Sequence, residues 1–249
     1  MVSELFSHEE FLAAALARLV TGARTIAVGS NSPIPAAATL LAQALSNEPV
    51  SVSILGSARH NPFTDGGREL FDFAGQGRLD SFFLGGGQID GAGNINLVGI
   101  GGYPASAMRF PGSYGSAYLY SLVPNVVLFR EEHSPRVLVP HVDFVSAAGS
   151  GPTGAFRPGG PRHLVTSRAI FRFEKGRFLL TSLHPGETVE SIRAQTGFAV
   201  DPVPGLDVTP PPTDRELALL RGPVAAGLAD IYPRFTARAL GRSQEHSDA

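Results

Sequence analysis

Apolar residues recur at helical spacing near the start of the chain. Between Ser7 and about Thr21 they repeat every three or four positions, which predicts an amphipathic helix. Ser7 is followed three residues later by Glu10, the spacing of a capping box, so we expect the helix to begin at Ser7. We expect Gly22 to end it, because glycine commonly follows the last turn of a helix.

The next segments alternate between strand-like and helix-like patterns. "TIAVGSN" reads as a strand and loop, "AAATLLAQAL" as a helix and "VSVSILG" as a second strand. From Leu79 onward, short apolar runs separated by glycine predict buried strands, namely "DSFFLGGG", "INLVGIGG", "NVVLFREE" and "RVLVPHVDFV". The pattern predicts an α/β fold, an open and mainly parallel sheet with flanking helices, and in such sheets ligands bind at the carboxyl ends of the strands.

The last third of the chain has a different pattern. "LVTSRAIFRFEKGRFLLTSLH" predicts an antiparallel hairpin, "ETVESIRAQTG" a short helix closed by Gly197, and "DPVPGLDVTPPP" an irregular surface connection. Thr213 and Glu216 have capping-box spacing at the start of a terminal helix. With no internal repeat visible, we expect one α/β domain over residues 1–205, followed by a C-terminal helical arm over residues 206–249.

Composition narrows the possible functions. The 249 residues are 43% hydrophobic and 17% charged, as in a globular protein, and the formal charge of −2 gives no general attraction to nucleic acid or to an anionic membrane. No run of about eighteen apolar residues is present to span a bilayer, and the first residues lack the basic start of a signal peptide. We therefore expect a cytoplasmic protein with no nucleic-acid or membrane partner.

The counts of cysteine and lysine exclude further chemistry. The sequence has no cysteine, so thiolate metal sites and a cysteine nucleophile are excluded. The single lysine, Lys175, falls in the predicted hairpin turn "FEKGRF", whereas a P-loop or Schiff-base lysine needs a protected position facing a ligand. Only His133 and His141 lie near each other among the seven histidines, so we expect no metal site.

The stretch "GGGQIDGAGNIN", residues 85–96, is a candidate phosphate-binding loop. A dinucleotide fingerprint requires G-x-G-x-x-G between a strand and a helix, but the sixth residue from Gly85 is Asp90, and from Gly99 it is Pro104. The residues that follow have strand character, and no G-x-S-x-G motif occurs in the chain. The sequence therefore lacks the usual signatures of nucleotide-binding oxidoreductases and of serine hydrolases.

Two other segments are candidate sites. "EEH", residues 131–133, ends a predicted buried strand and is the best position for a functional carboxylate or imidazole, although a solvated strand end has the same pattern. "FPGSYGSAY", residues 110–118, is a second glycine loop. Backbone N–H groups in such a loop can form an anion nest or an oxyanion hole.

Three blocks of sequence, in this order, resemble the beta subunit of class I coenzyme A transferases. The resemblance covers roughly residues 20–200. The matching positions are Gln88, Asp90, Asn94 and Asn96 in the first block, Pro111, Gly112, Ser113 and Gly115 in the second, and His184, Pro185, Gly186, Thr188, Val189, Thr196, Gly197 and Phe198 in the third. The resemblance implies a CoA transferase-like α/β fold, an acyl-CoA substrate, no separate cofactor, and an alpha subunit as partner in an α2β2 assembly.

The resemblance fails at the position of the family's nucleophile. CoA transferases carry a glutamate just after the second strand of this subunit, which forms an enzyme thioester with CoA. Here "VSILGSARHNPFTDGG" has Gly56 and Ser57 at that position, and the nearest downstream carboxylate is Asp65. Without a carboxylate nucleophile, CoA exchange has no chemical basis on this chain. Tyr114 and Tyr118 also replace a glycine and an acidic residue common in the family, which suggests a pocket for a bulky, partly apolar acyl group.

These departures resemble those of a divergent branch of the family, the ring-opening hydrolases of bacterial steroid catabolism. That resemblance implies hydrolysis of a carbon–carbon bond in a cyclic β-keto acyl-CoA, with the essential glutamate supplied by the alpha subunit. Asp90 and Asn94 are expected to fix the glycine turn. The resemblance assigns catalysis to Tyr114 and Gly115, through their backbone N–H groups, and to Gln88 and Asn96. It assigns substrate or CoA binding to Gly86, Gly87, Gly112, Ser113, Arg59 and Arg109.

Three alternatives stay open at this point. In the first, the chain is an active CoA transferase that uses an acid from elsewhere, such as Asp65 or Glu132. In the second, it is a non-catalytic scaffold subunit that stabilises its partner. The third, from outside the family, is a nucleotide-binding oxidoreductase with a glycine loop.

Overall fold

The structure is a computed structural model, and it describes residues 5–65 and 67–241. The α-helices are α1 His8–Arg18, α2 Pro33–Leu45, α3 Gly67–Gly75, α4 Ser116–Leu122, α5 Val189–Ala194, α6 Asp214–Leu219, α7 Ala225–Leu228 and α8 Pro233–Phe235, with π-helical turns at Leu220–Val224 and Thr236–Leu240. The strands are β1 Thr25–Val28, β2 Ser51–Ile54, β3 Ser81–Leu84, β4 Gln88–Asp90, β5 Ile95–Asn96, β6 Gly99–Ile100, β7 Met108–Arg109, β8 Asn125–Arg130, β9 Leu138–Val139, β10 Pro161–Thr166, β11 Ala169–Glu174, β12 Arg177–Leu183 and β13 Pro202–Val208.

Contacts divide the chain into two compact units, and the first combines both ends of the sequence, residues up to Thr64 and from Pro210 onward. In this unit β1 and β2 pair in parallel, and α1 packs against α2. Three ion pairs fasten the C-terminal segment to α1: Arg18 to Glu216 at 2.7 Å, Arg221 to the fully buried Glu10 at 2.6 Å, and Arg238 to Glu9. The division at residues 205 and 206 stays a prediction, whereas these contacts join the segment after Pro210 to the N-terminal unit.

The second unit, Asp65–Thr209, contains the longest run of paired strands. Six strands lie in the order β13, β12, β11, β10, β8, β3. The pairs β3/β8, β8/β10 and β12/β13 are parallel, while β11 is antiparallel to both of its neighbours. The predicted α/β fold with a mostly parallel sheet is confirmed.

Several local predictions are confirmed as well. The side chain of Ser7 caps α1 and forms a capping box with Glu10, and Thr213 and Glu216 do the same at α6. The hairpin turn falls at Lys175 (φ 51°) and Gly176 (φ 78°), between β11 and β12. These features depend on neighbouring residues, and for that reason the local sequence predicts them.

Three predictions about strands are wrong. "DPVPGLDV" is not an irregular connection but contains β13, which pairs in parallel with β12, because an edge strand tolerates proline where a central strand does not. "RVLVPHVDFV" is not a full strand: only Leu138–Val139 pair, with β4. "INLVGIGG" likewise divides into the two short strands β5 and β6.

The predicted role of Gly197 is also wrong. Helix α5 ends at Ala194 with Gln195 as its C-cap, and Gly197 is not among the residues with positive φ. A Cβ atom at Gly197 would lie 2.5 Å from the carbonyl oxygen of Leu138. The glycine is therefore required by close packing against Leu138 and not by the end of a helix.

Candidate functional site

The glycine turn of residues 85–96 is closed by side chains of the turn itself. Asp90 Oδ1 accepts hydrogen bonds from the N–H groups of Ala92 and Asn94, both at 3.0 Å, and its Oδ2 accepts one from Asn94 Nδ2. Gly93 has φ 75°, a conformation that glycine adopts readily. Asp90 and Asn94 therefore fix the turn, as predicted. Strand β4 and not a helix follows Gly87, so the geometry of a dinucleotide loop is absent here.

Gln88 and Asn96 lie together as cross-strand partners on β4 and β5. Asn96 is fully buried: its Nδ2 donates to Gln88 Oε1 and to the carbonyl oxygen of Gly99, both at 2.7 Å, and its Oδ1 accepts from the N–H groups of Val98 and Gly99. These four bonds use the full capacity of the amide. The geometry gives Asn96 a structural task, and its predicted catalytic role stays a prediction.

Asp143 completes this network and was not predicted from the sequence. Its Oδ2 accepts hydrogen bonds from the N–H of Gly101 at 2.8 Å and from Gln88 Nε2 at 3.2 Å, and its own N–H donates to Gln88 Oε1. No spacing rule connects residues so distant along the chain. Through Asp143, Gln88 holds Gly101, at the beginning of the loop between β6 and β7.

The loop before α4 carries the predicted oxyanion donors. Tyr114 has φ 44°, and Gly115, the N-cap of α4, has φ −101° and ψ 15°. Two consecutive residues with left-handed and right-handed backbone conformations direct their N–H groups toward one point, which is the arrangement of an anion nest. In the described part of the chain, neither the N–H of Tyr114 nor that of Gly115 donates a hydrogen bond. Two donors are therefore free for an oxyanion.

The same loop meets the glycine turn. A Cβ atom at Gly87 would collide with the ring of Phe110, and the N–H of Gly112 donates to the carbonyl oxygen of Leu97 at 3.1 Å. Gly112 has φ 108°, so a side chain there would be strained. The structure thus brings together the predicted residues of both glycine segments, Gly86, Gly87, Gln88, Asn96, Gly112, Ser113, Tyr114 and Gly115.

Between helix α3 and the loop, aromatic rings of one segment pack against glycines of the other. The Phe71 ring lies 5.4 Å from that of Tyr114 and 6.0 Å from that of Tyr118, measured between ring centroids. Gly67 faces the Tyr114 ring, and a Cβ atom on Gly115 would overlap Phe71. Phe71 was not predicted; its position four residues after Gly67 on one helical face is the only signal that the sequence offers.

The loop after β2, where CoA transferases are expected to carry their nucleophile, is closed by Asp230. Gly56 has φ 91°, and Ser57 is only 3% exposed. The Ser57 hydroxyl donates to Asp230 Oδ2 at 3.0 Å and accepts from the N–H of Arg59 and from that of His60. Asp230 Oδ2 also accepts from the N–H groups of Ala58 and Arg59. Burial raises the pKa of Asp230, but these bonds together outweigh it and hold the pKa below its usual value.

The other carboxylates that could replace a nucleophile are paired. Asp65 forms an ion pair with Arg68 at 2.9 Å. Glu132 receives hydrogen bonds from Arg136 and Ser134, both at 2.6 Å, and the Arg136 bond contributes most to lowering the Glu132 pKa. A carboxylate stabilised in this way is a weak nucleophile.

The two predicted binding arginines each donate a hydrogen bond to a backbone carbonyl oxygen. Arg59 is exposed and donates to the carbonyl oxygen of Ala226 at 3.3 Å. Arg109 is exposed, donates to the carbonyl oxygen of Pro104 at 2.8 Å and lies over the ring of Tyr103. Their assignment to substrate or CoA binding stays a prediction.

His133 of the "EEH" segment is buried between two threonines. Its ring nitrogens lie 2.7 Å from Thr166 Oγ1 and 3.0 Å from Thr196 Oγ1. Burial, with a smaller contribution from the positive charge of Arg168, lowers the pKa of His133 to about 4. The imidazole is therefore neutral at pH 7 and joins β10 to the end of α5.

Over the range of residues 5–65 and 67–241, no helix is long and apolar enough to cross a membrane. Nor does the range contain three or more histidine, aspartate or glutamate side chains grouped so that they could hold a metal ion.

Solved structures with this fold include two enzymes with different reactions. Rhodococcus jostii RHA1 IpdAB superposes with a TM-score of 0.77 at 25% identity, covering 95% of this chain and 99% of that chain. The decarboxylase AibA/AibB superposes with a TM-score of 0.74 at 26% identity, covering 87% and 94%. The fold therefore supports more than one reaction.

Sequence comparisons give the family. The chain is 33% identical over 218 residues to one of the subunits of the 3-oxoadipate CoA-transferase of Pseudomonas knackmussii, covering 84% of this chain and 81% of that protein. It is 30% identical over 173 residues to the cholesterol ring-cleaving hydrolase IpdB subunit of Rhodococcus jostii, covering 62% of each. The family model described as coenzyme A transferase matches residues 10–195. The chain therefore belongs to the coenzyme A transferase family.

Proposed function

We propose that this chain is the beta subunit of a cytoplasmic, heteromeric hydrolase that opens the ring of a cyclic β-keto acyl-CoA in steroid or cholesterol degradation. An alpha subunit supplies the catalytic glutamate, and the two form an α2β2 assembly. Likeness to the IpdB subunit and to IpdAB supports this assignment. The observation that carries it is the loop after β2, where Gly56 and Ser57 replace the family's glutamate and the nearby Asp230 carboxylate is engaged in closing the loop.

The reaction is a retro-Claisen hydrolysis. The glutamate of the partner removes a proton from water, and the water oxygen bonds to the ring ketone carbon. The bond from that carbon to the carbon next to the thioester then breaks, its electron pair forms a thioester enolate, and the proton returns to that carbon. One water is consumed, one new carboxylate forms, and the CoA thioester is kept.

Two oxyanions develop in this reaction, and the loop before α4 can stabilise one of them. The free N–H groups of Tyr114 and Gly115 are held in place before the reaction, and such a donor is commonly worth about 2.7–4 kcal/mol of the barrier. Tyr114 is 83% exposed, and its side chain can contact the acyl group. Gln88 holds the neighbouring hairpin and so fixes one side of the same site.

The main rival is a true CoA transferase, which the 33% identity to the 3-oxoadipate CoA-transferase favours. The assembled complex is incubated with an acyl-CoA and a free carboxylic acid, and the CoA esters are separated by chromatography. The hydrolase predicts that CoA does not move to the added acid. Appearance of the acid's CoA ester would contradict the proposal.

A non-catalytic scaffold is the second rival. Tyr114→Phe keeps the ring and the backbone, so it tests the hydroxyl alone, whereas Gly115→Ala disturbs the donor loop. The hydrolase account predicts that Gly115→Ala lowers kcat by about 100-fold, the effect of losing one oxyanion donor. Undiminished turnover in an assembled Gly115→Ala complex would support the scaffold.

A further inference from the structure

Arg130 ends a central strand at the edge where the glycine loops lie. β3 pairs in parallel with β8, with Ser81 opposite Asn125 and Leu84 opposite Leu128. Continuing that register by two residues puts Gly86 level with Arg130, and on the other side Arg130 is paired with Thr166 of β10. The carboxyl ends of three parallel strands therefore meet at Arg130, the part of an open sheet where ligands bind.

The guanidinium of Arg130 is not fully used by the residues that the structure describes. Its side chain is 41% exposed, and its Nε is buried without a hydrogen-bond partner in the described ranges. A buried donor without a partner is unfavourable, and a ligand that satisfied this group would remove that cost.

The acids near Arg130 do not satisfy it. Its only ion-pair partner within the described residues is Glu132, at 3.6 Å. Glu132 is already engaged by Arg136 through two hydrogen bonds, at 2.6 and 3.1 Å, and by Ser134. No ion pair joins Arg130 to the exposed Glu131 in that part of the chain. Arg130 is therefore a partly exposed cation with spare donors.

We propose that Arg130 binds a free carboxylate on the acyl part of the substrate, and that this enzyme prefers acyl-CoA thioesters that carry such a carboxylate. A guanidinium matches a carboxylate with two parallel hydrogen bonds, which lysine cannot form. The assignment rests on the proposed function, since it needs a CoA thioester at this edge. Arg130 then has the substrate-binding role that was predicted for Arg59 or Arg109, both of which donate hydrogen bonds to backbone carbonyl oxygens.

The test measures binding and does not require turnover. Glutaryl-CoA and its methyl ester are titrated by calorimetry into the assembled complex. We expect wild type to bind the free acid at least about 10-fold more tightly than the methyl ester, which corresponds to roughly 1.4 kcal/mol. Arg130→Met should remove this preference, and Arg130→Lys should reduce it. Arg162→Met is the matched control, because Arg162 is an exposed arginine near the opposite end of neighbouring β10, and it keeps the preference.

A second variant separates recognition from a merely structural role. Arg136→Met releases Glu132, which then pairs with Arg130, so the preference falls although Arg130 is unchanged. Glu132→Gln gives the opposite result, a stronger preference. The inference would be overturned if wild type bound acid and ester equally, or if Arg130→Met kept the full preference. If Arg130→Met does not assemble, a full preference in Arg130→Lys would overturn it. Loss of ring-opening activity with an intact preference would overturn only the proposed function.

Discussion

At the scale of single residues, the site depends on one strained residue and the ring beneath it. Tyr114 adopts a left-handed conformation that is uncommon for a residue with a side chain and costs roughly 1 kcal/mol. Contact with Phe71 offsets part of that cost, since aromatic pairs contribute about 0.5–1.5 kcal/mol. The direction of the Tyr114 and Gly115 N–H groups therefore depends on Phe71.

Gly115→Ala tests that dependence. The new methyl group overlaps the Phe71 ring, so we expect the free energy of unfolding to fall by about 1–3 kcal/mol, the usual cost of overpacking. Adding Phe71→Ala should restore part of the loss, as measured by denaturant unfolding. Gly102→Ala is the control, because no atom lies within 4 Å of its added Cβ. A Gly115→Ala variant as stable as Gly102→Ala would contradict the packing described.

Asn96→Ala tests whether the buried amide is structural. Four hydrogen bonds are lost in a fully buried position, so we expect the free energy of unfolding to fall by at least about 2 kcal/mol. The exposed Gln76→Ala is the control and should change stability little. An Asn96→Ala complex with normal stability and lost turnover would instead support the catalytic role predicted from the sequence.

At the residue scale, the sequence predicts hydrogen bonds within a turn but not those between segments distant along the chain. Asp90 and Asn94 bond within their own turn, so the local sequence predicts them. Asp143 and Asp230 bond to segments distant along the chain, and no pattern indicates those pairings. Recognition of the family located the glycine segments, but the bonds that hold them needed the structure.

At the scale of elements, two buried histidines connect the strands of the second unit. His133 joins β10 to the end of α5, and His184 lies between Thr209 and the carbonyl oxygen of Thr166. Patterns of apolar residues predicted the strands that lie in the sheet interior. They failed for β13 and β9, because an edge strand and a two-residue strand depend on the neighbour that pairs with them.

His133 predicts how stability depends on pH. Above pH 6.5 the imidazole is neutral in both folded and unfolded chains, so its contribution is fully present. Between pH 6.5 and about 4 the unfolded chain binds a proton that the folded chain does not, and up to about 3 kcal/mol is lost. His163, whose pKa burial also lowers to about 4, adds a similar loss.

His133→Gln should therefore flatten part of the fall in unfolding free energy between pH 6.5 and 4. Urea unfolding at several pH values measures it, with the exposed His141→Gln as control. A variant with the same pH slope as wild type would show that His133 does not remain neutral in the folded chain.

At the scale of the whole molecule, one fold is shared by enzymes with different reactions. The chain resembles a CoA transferase subunit, a ring-cleaving hydrolase subunit and a decarboxylase. In this chain Asp230 closes the loop after β2 around Ser57. Family and fold followed from the sequence, whereas the closure of this loop by the C-terminal segment did not.

The most direct test uses the assembled complex in water labelled with oxygen-18, with a cyclic β-keto acyl-CoA and an added carboxylic acid. Mass spectrometry follows the label and the CoA. Hydrolysis predicts a ring-opened product that keeps its CoA thioester and carries one labelled oxygen in its new carboxylate. An unopened ring, with CoA moved to the added acid, would contradict it.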